Sequence, residues 1–321
     1  MGVGRREPLP RVGEIARVVE DYGFSAFFIQ DNPLMTKDPY MALTVAALNT
    51  SRLRLGPAVS NPLIRHPSVI ANSIFTLDHL SEGRAVLGFG SGGPALVIPL
   101  GYAPRRIAEF RQDLLQIRTL LCGEEVVGPG SMCFRIPGIE RRIPIYVAAS
   151  GPLMLRTAGE LADGVIIAGS AQRDVLSRKI EIVKEGARSA GRDPSEVKVN
   201  ILVNMAVDAD SQRAVDAIRP FVVGAIIEGG AAEIPQQYEN VVRMVHAQHD
   251  PSRHLAAGAP ETALIPDELA KFVTIAGDEA ECRDRLASII SLQPDEITFT
   301  LMTGGRMERL KSLAKVALGA S

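Results

Sequence analysis

A chain of 321 residues, 46% apolar and 22% charged, carries enough apolar side chains to fill a continuous core and is not expected to be disordered. Its formal net charge of -2 leaves no global field that would gather nucleic acid or an anionic membrane, so a small-molecule partner is favoured. Three widely spaced cysteines, Cys122, Cys133 and Cys282, fit neither a disulfide framework nor a paired-cysteine zinc site, and no apolar run reaches membrane-spanning length; a reducing, cytoplasmic setting is expected.

In chain order, Val12, Ile15, Val19 and Tyr22 stand at helical spacing before Gly23, and the unbroken apolar run of residues 26–29 follows as a buried strand. The alternation repeats. Residues 40–49 read as a helix, 53–55 as a strand, 67–80 as a helix and 85–89 as a strand. Further on, strands at 145–148, 165–167 and 197–203 each precede a helix, at 153–162, 175–190 and 209–218. Repeated strand–helix units with buried apolar strands imply a parallel sheet. With a short strand before Arg5 and a late one at 296–300, eight strands are counted, which favours a closed (β/α)8 TIM barrel forming one domain over residues 1–321. Two stretches interrupt the rhythm: residues 122–142 before the fifth strand, and a helical insertion over about 221–270 before the eighth.

Gly88-Phe89-Gly90-Ser91-Gly92-Gly93 matches the dinucleotide pattern GxGxxG after a strand, with Glu109 and Asp113 downstream. The pattern falls on the fourth strand, however, and Pro94 delays the helix that should receive a pyrophosphate. It is read instead as a loop at a strand's carboxyl end, where glycines let backbone approach a ligand. Barrel active sites lie on that face. Asp31, with Asn32 beside it, follows the strand at 26–29 and falls on the same edge, where its carboxylate either accepts a hydrogen bond from a cofactor ring or closes an Asx turn. Ala149-Ser150-Gly151-Pro152 is a small-residue turn into a helix, whose free N–H groups make it the preferred phosphate cradle. Arg5, Arg65, Arg105, Arg106, Arg141, Arg142, Arg156 and Arg173 lie near strand ends or helix starts, where some would meet an anion and most would be solvated. His246, His249 and His254 match no zinc spacing, and their neighbours Gln248, Asp250 and Ser252 are polar, so a solvated helix end is expected and no metal site.

The run Tyr40-Met41-Ala42-Leu43-Thr44-Val45-Ala46-Ala47-Leu48-Asn49, then Leu55-Gly56-Pro57-Ala58-Val59-Ser60-Asn61-Pro62, Arg65-His66-Pro67, Gly83-Arg84-Ala85-Val86-Leu87-Gly88 and Ala162-Asp163-Gly164, closely resembles the methylenetetrahydromethanopterin reductases of the luciferase-like superfamily. The resemblance is strong over roughly the first two thirds of the chain. It implies a luciferase-like barrel that binds coenzyme F420, a deazaflavin, and moves a hydride to or from a small organic substrate entering under the insertion. It also implies a non-prolyl cis peptide at Ala58-Val59, with Asp31, Ser60, Asn61, Ser91 and Gly92 around the ring and ribityl chain. Ser150, Gly151, Gly169 and Ser170 would face the phosphate, with Ala149 beside them. A homodimer or higher homo-oligomer is the family default. Two departures stand out: Asn32 replaces the His that commonly follows the Asp, and Gly92-Gly93-Pro94 replaces a Gly-Asp. The first argues against an alcohol or sugar dehydrogenase, and the second points to a changed substrate. The alternatives are an FMN-dependent monooxygenase of the same fold, served by a reductase partner, and a non-catalytic flavin-binding barrel.

Overall fold

Prolines and short polar caps set where the helices of this chain begin, and buried apolar runs set the strands. In the computed structural model, residues 1, 7–128, 131–229, 233–302 and 305–319 are described. Helix α1 (Leu9–Asp21) begins after Pro8 and turns Val12, Ile15, Ala16 and Val19 inward. Strand β1 (Ala26–Ile29) leads to α2 (Pro39–Leu48), whose N-cap Asp38 accepts from the Met41 amide at 3.0 Å. Strand β2 (Arg54–Pro57), α3 (Pro67–Leu80), β3 (Leu87–Phe89), the short α4 (Pro94–Val97) and α5 (Ile107–Leu121) follow. The stretch expected to interrupt the rhythm forms a hairpin of β4 (Val126–Val127) and β5 (Cys133–Phe134). Next come β6 (Ile145–Ala149), α6 (Pro152–Leu161), β7 (Gly164–Ile167), α7 (Arg173–Ser189), β8 (Lys198–Val203), β9 (Met205–Val207) and α8 (Ser211–Ile227). The chain ends with α9 (Glu239–Gln248), α10 (Asp267–Val273), β10 (Ile275–Gly277), α11 (Glu279–Ile290), β11 (Glu296–Phe299) and α12 (Arg306–Leu318).

Two sequence expectations change and one lies outside what is described. The helix expected over 209–218 runs on to Ile227 through Pro220, so Phe221, where the insertion was to open, lies inside α8. Pro220 gives up one backbone bond, while Ile218, Val222, Val223 and Ile226 keep a buried apolar stripe that continues past it. Strands β9 and β10, three residues each, were not anticipated. The strand expected before Arg5 and Arg5 itself lie outside the described residues; Met1 alone is seen there, bonded to Phe28 O at 2.7 Å and accepting from the Gln30 amide at 2.9 Å.

Contacts divide the chain into two units. The first comprises residues 1–92, 102–148 and 161–164. In it β1 and β2 pair in parallel, Phe27 opposite Leu55, and β3 pairs in parallel with β6, Leu87 opposite Ile145. A bridge between Leu55 and Ala85 continues the order from β2 towards β3. The second unit comprises residues 93–101, 149–160 and 165–321. There β8 pairs in parallel with β11, Ile201 opposite Ile297, and β9 with β10, Ala206 opposite Ala276. Parallel strands joined by helices make this an α/β fold, as the alternation implied.

Within the first unit the turn between α2 and β2 is tied down by two charged side chains, the buried Glu20 and the half-buried Arg84. Glu20, on α1, accepts from the amides of Ser51, Arg52 and Leu53, at 3.0, 2.6 and 3.0 Å. Burial pushes its pKa up, but the three amides more than offset this and hold it below the ordinary glutamate value. Arg84 donates from the other side to the carbonyls of Ala47, Thr50 and Leu53. Glu20→Ala strands these amides and is expected to cost about 2 kcal/mol in urea unfolding. Because the folded pKa is depressed, the wild-type advantage is full above the ordinary glutamate pKa and shrinks as pH falls through the folded value; an advantage independent of pH would contradict this account.

Candidate active site

The carboxyl ends of β1, β2 and β3 lie together in the first unit and carry most of the residues singled out from the sequence. From β1 the Ala58 amide finds Ile29 O at 2.8 Å, and from β3 the Gly88 carbonyl takes the Ser60 amide at 3.0 Å, while Gly90 donates back to Ser60 O at 2.9 Å. The peptide between Ala58 and Val59 is cis. Ser60 and Asn61 are fully buried just beyond it. Asn61 spends its side-chain oxygen on the amides of Leu63 and Ile64, at 3.1 and 3.2 Å, which fixes the turn that delivers Arg65.

Asp31 is 3% exposed, and its carboxylate is occupied by protein groups. Oδ2 accepts from Ser60 Oγ at 2.7 Å and from Arg65 Nε at 2.8 Å, and a second Arg65 nitrogen reaches Oδ1 at 3.3 Å. The same guanidinium pairs with Asp38 at 2.6 Å and lies over the Tyr40 ring, 5.3 Å from its centroid. The Tyr40 hydroxyl stands 3.2 Å from Ser60 Oγ, and burial drives its pKa up. Burial alone would pull the Arg65 pKa down; the bonds to Asp31 and Asp38 raise it instead. The Asx turn weighed for Asp31 belongs to Asn32, whose oxygen accepts from the Leu34 amide at 3.1 Å. Tyr40 and Asp38 were not singled out as site residues in the sequence, since nothing local marks them as neighbours of Ser60 and Arg65.

The glycine pattern takes on a different meaning. A Cβ on Gly88 would lie 2.2 Å from Pro57 O, and one on Gly90 would lie 2.7 Å from Val59 Cγ2. These glycines are demanded by the end of β2 packing against β3, rather than by a ligand phosphate. Ser91 is half-buried next to Gly92, which takes φ 87°. Glu109 and Asp113, the downstream acids, are paired with Arg106 and Arg105. Arg141 and Arg142 pair with Asp78 and Asp163, Arg156 with Glu185, and Arg173 with Asp174.

In the second unit, Ala149 is buried at the end of β6, Ser150 is half-buried, and a Cβ on Gly151 would meet open space just before α6 begins. Gly169 takes φ 94°, and the buried Ser170 accepts from the Gln172 amide at 3.1 Å. Lys179, 3% exposed, fixes this strand end by donating to Ala168 O at 2.8 Å while pairing with Glu233 at 2.9 Å. His249 and His254 are buried, contrary to the solvated helix end expected; His249 Nδ1 stands 3.1 Å from the buried Glu261, and the two rings meet edge to face at 5.3 Å. Among the described residues no cluster is arranged to hold a metal ion, and no helix is long and apolar enough to cross a membrane.

Residues 1–296 match the family described as luciferase-like monooxygenase. The chain belongs to that family. Among relatives of this luciferase-like chain, the 5,10-methylenetetrahydromethanopterin reductase of Methanolobus tindarius is 29% identical, over 98% of this chain and 97% of its own. The F420-dependent glucose-6-phosphate dehydrogenase of Beutenbergia cavernae is 29% identical over 76% and 79%. The solved structure of the coenzyme F420-dependent tetrahydromethanopterin reductase from Methanopyrus kandleri has the same fold, with a TM-score of 0.75 and 22% identity over 99% of each chain.

Removing Arg65 leaves the luciferase-like chain with a buried carboxylate and no counter-charge. Arg65→Gln is expected to lower unfolding free energy by about 2 to 4 kcal/mol, and adding Asp31→Asn to recover part of the loss. Strictly additive losses in that double-mutant cycle would show that the two side chains are not coupled.

Proposed function

We propose that this chain is a coenzyme F420-dependent oxidoreductase working in the reductase sense, passing a hydride to a small organic acceptor. The observation that carries the reading is the shelf at the ends of β1, β2 and β3. There the Asp31 carboxylate is buried and neutralised, Ser60 and Asn61 are locked by hydrogen bonds, and Gly88 and Gly90 let the end of β2 pack directly on β3. Such a surface fits a flat, uncharged ring better than a charged or metal-bound group. When bound, the reduced deazaflavin supplies the hydride.

The protein's own contribution is positioning. Arg65 and Asp31 hold Ser60, Tyr40 steadies it from the other side, and the turn at Asn61 keeps Arg65 in register. On this reading Ala58, Val59, Ser60, Asn61, Ser91 and Gly92 line the ring, with Asp31 acting through Ser60. Within the second unit, the start of α6, with Ser150 and Gly151 beside Ala149, and the Gly169-Ser170 turn are separately proposed to hold an anion, because the first-turn amides of a helix lack intrahelical partners. The relatives named for F420 support the choice of cofactor, and the shared fold supports closure into the eight-stranded barrel expected from the strand count. FMN is the second reading, favoured by the matched family's description as monooxygenases.

Asn32 bears on the class of substrate. Its oxygen is spent on the Leu34 amide, and a carboxamide neither gains nor loses a proton near neutral pH, so no acid or base stands at this position for drawing a proton from an alcohol. The test is turnover followed by the visible absorbance of the deazaflavin. Reduced F420 with methylenetetrahydromethanopterin or a ketone acceptor is expected to be reoxidised, whereas oxidised F420 with glucose-6-phosphate should stay oxidised. Reduction by the sugar phosphate would contradict the exclusion of a sugar dehydrogenase.

A further inference from the structure

Lys179 interrupts a face of α7 that is otherwise apolar. Val175, Leu176, Ile180 and Val183 are buried at helical spacing on either side of it, and Lys179 itself is as buried as they are. A lysine in that position gives up its water, and packing alone would be served better by leucine or methionine. Its Nζ stops at the carboxyl end of β7, donating to Ala168 O at 2.8 Å. That carbonyl belongs to the peptide whose nitrogen is Gly169, the first residue of the turn to which an anion is assigned.

The turn is short of acceptors. Ser170 and Ala171 are buried, yet the amides of Gly169, Ser170 and Ala171 meet no acceptor among the described residues. The Ser170 hydroxyl oxygen is already taken by the Gln172 amide. Buried backbone N–H groups are nearly always paired, so these call for an acceptor from outside the chain. We infer that Lys179 is a positioning residue that raises the affinity of this turn for a phosphate-type anion, and that Glu233 is the resting counter-ion that limits it; the inference rests on the anion-binding reading of the turn.

Lys179 acts from behind the turn. An ammonium on the Ala168 oxygen fixes the Ala168–Gly169 peptide and strengthens its N–H as a donor, and its charge attracts the anion through the protein. Glu233 works against it. The side chain of Glu233 is 22% exposed and that of Lys179 3%, so the carboxylate covers the ammonium from the solvent side. Glu233 is the one carboxylate within ion-pair distance of Lys179 among the described residues, at 2.9 Å, but its Oε2 has no aligned hydrogen bond. Such a pair lacks the geometry that makes buried pairs strong. Burial draws the Lys179 pKa below the ordinary lysine value, and Glu233, pulling the other way, does not make up the loss. The ammonium is under-compensated, which favours further negative charge nearby. Lys179, Glu233 and the turn all belong to the second unit.

The two charges therefore act on the anion with opposite signs. A purely structural clamp behaves differently, since loosening it from either side weakens binding. The test is a titration of the full chain, labelled with 15N at serine, with inorganic phosphate, following the amide signal that is lost in Ser170→Ala. Lys179→Met is expected to raise the phosphate dissociation constant about tenfold or more, and Glu233→Gln, which keeps an oxygen for the ammonium, to lower it about threefold or more. Weaker binding in Glu233→Gln, or either variant matching the wild type, overturns the inference and leaves the anion reading of the turn intact. A Ser170 amide that responds to phosphate in neither the wild type nor Glu233→Gln removes the anion reading, and this inference with it. If Lys179→Met does not fold, the sign of the change in Glu233→Gln decides alone.

Discussion

Arg65 carries the arrangement at the strand ends. A carboxylate as buried as Asp31 persists only with a counter-charge and saturated oxygens, and Arg65 provides the charge while sharing its guanidinium with Asp38 and the Tyr40 ring. Ser60 is placed by Asp31, and the backbone around Ser60 is what pairs β2 with β3 beyond their regular ends. The proposed ring surface thus depends on an ion pair that need not touch the ring. The same pairing explains why Asn61, four residues before Arg65, spends its side chain on local amides: it fixes the approach of Arg65.

Close packing of β2 on β3 then sets the composition of the loop that follows. Gly88 and Gly90 are required by Pro57 and Val59, Gly92 by its backbone conformation, and Gly93 by the Glu228 carboxyl. A pattern that imitates a dinucleotide fingerprint is therefore the sum of separate steric demands, none of them a phosphate.

Much of this was legible in the sequence. Helix α3 spans the residues that Pro67 and the apolar periodicity marked, and β1 coincides with the unbroken run at 26–29. The family resemblance pointed to the cis peptide found at Ala58-Val59. Local composition misled where burial is decided by distant partners: polar neighbours made His249 and His254 look solvated, yet Glu261 and the packing of His254 near Gly224 enclose them. The helix expected to end at 218 runs on through Pro220 because the buried apolar stripe continues past it, which only packing reveals. Strands β9 and β10 are too short to show a period. Neither the Arg65–Asp31 pair nor the placing of Glu228 against Gly93 has a local signature, since each joins residues far apart in the chain.

The central claim is that the surface built on Asp31, Ser60 and the β2–β3 junction receives a deazaflavin. A fluorescence titration of oxidised F420 with the purified protein, run in parallel with FMN, tests it most directly. The account predicts saturable binding of F420 with a dissociation constant of about 1 μM or tighter, and FMN weaker by at least about tenfold. Tighter binding of FMN, or no binding of either, would contradict it.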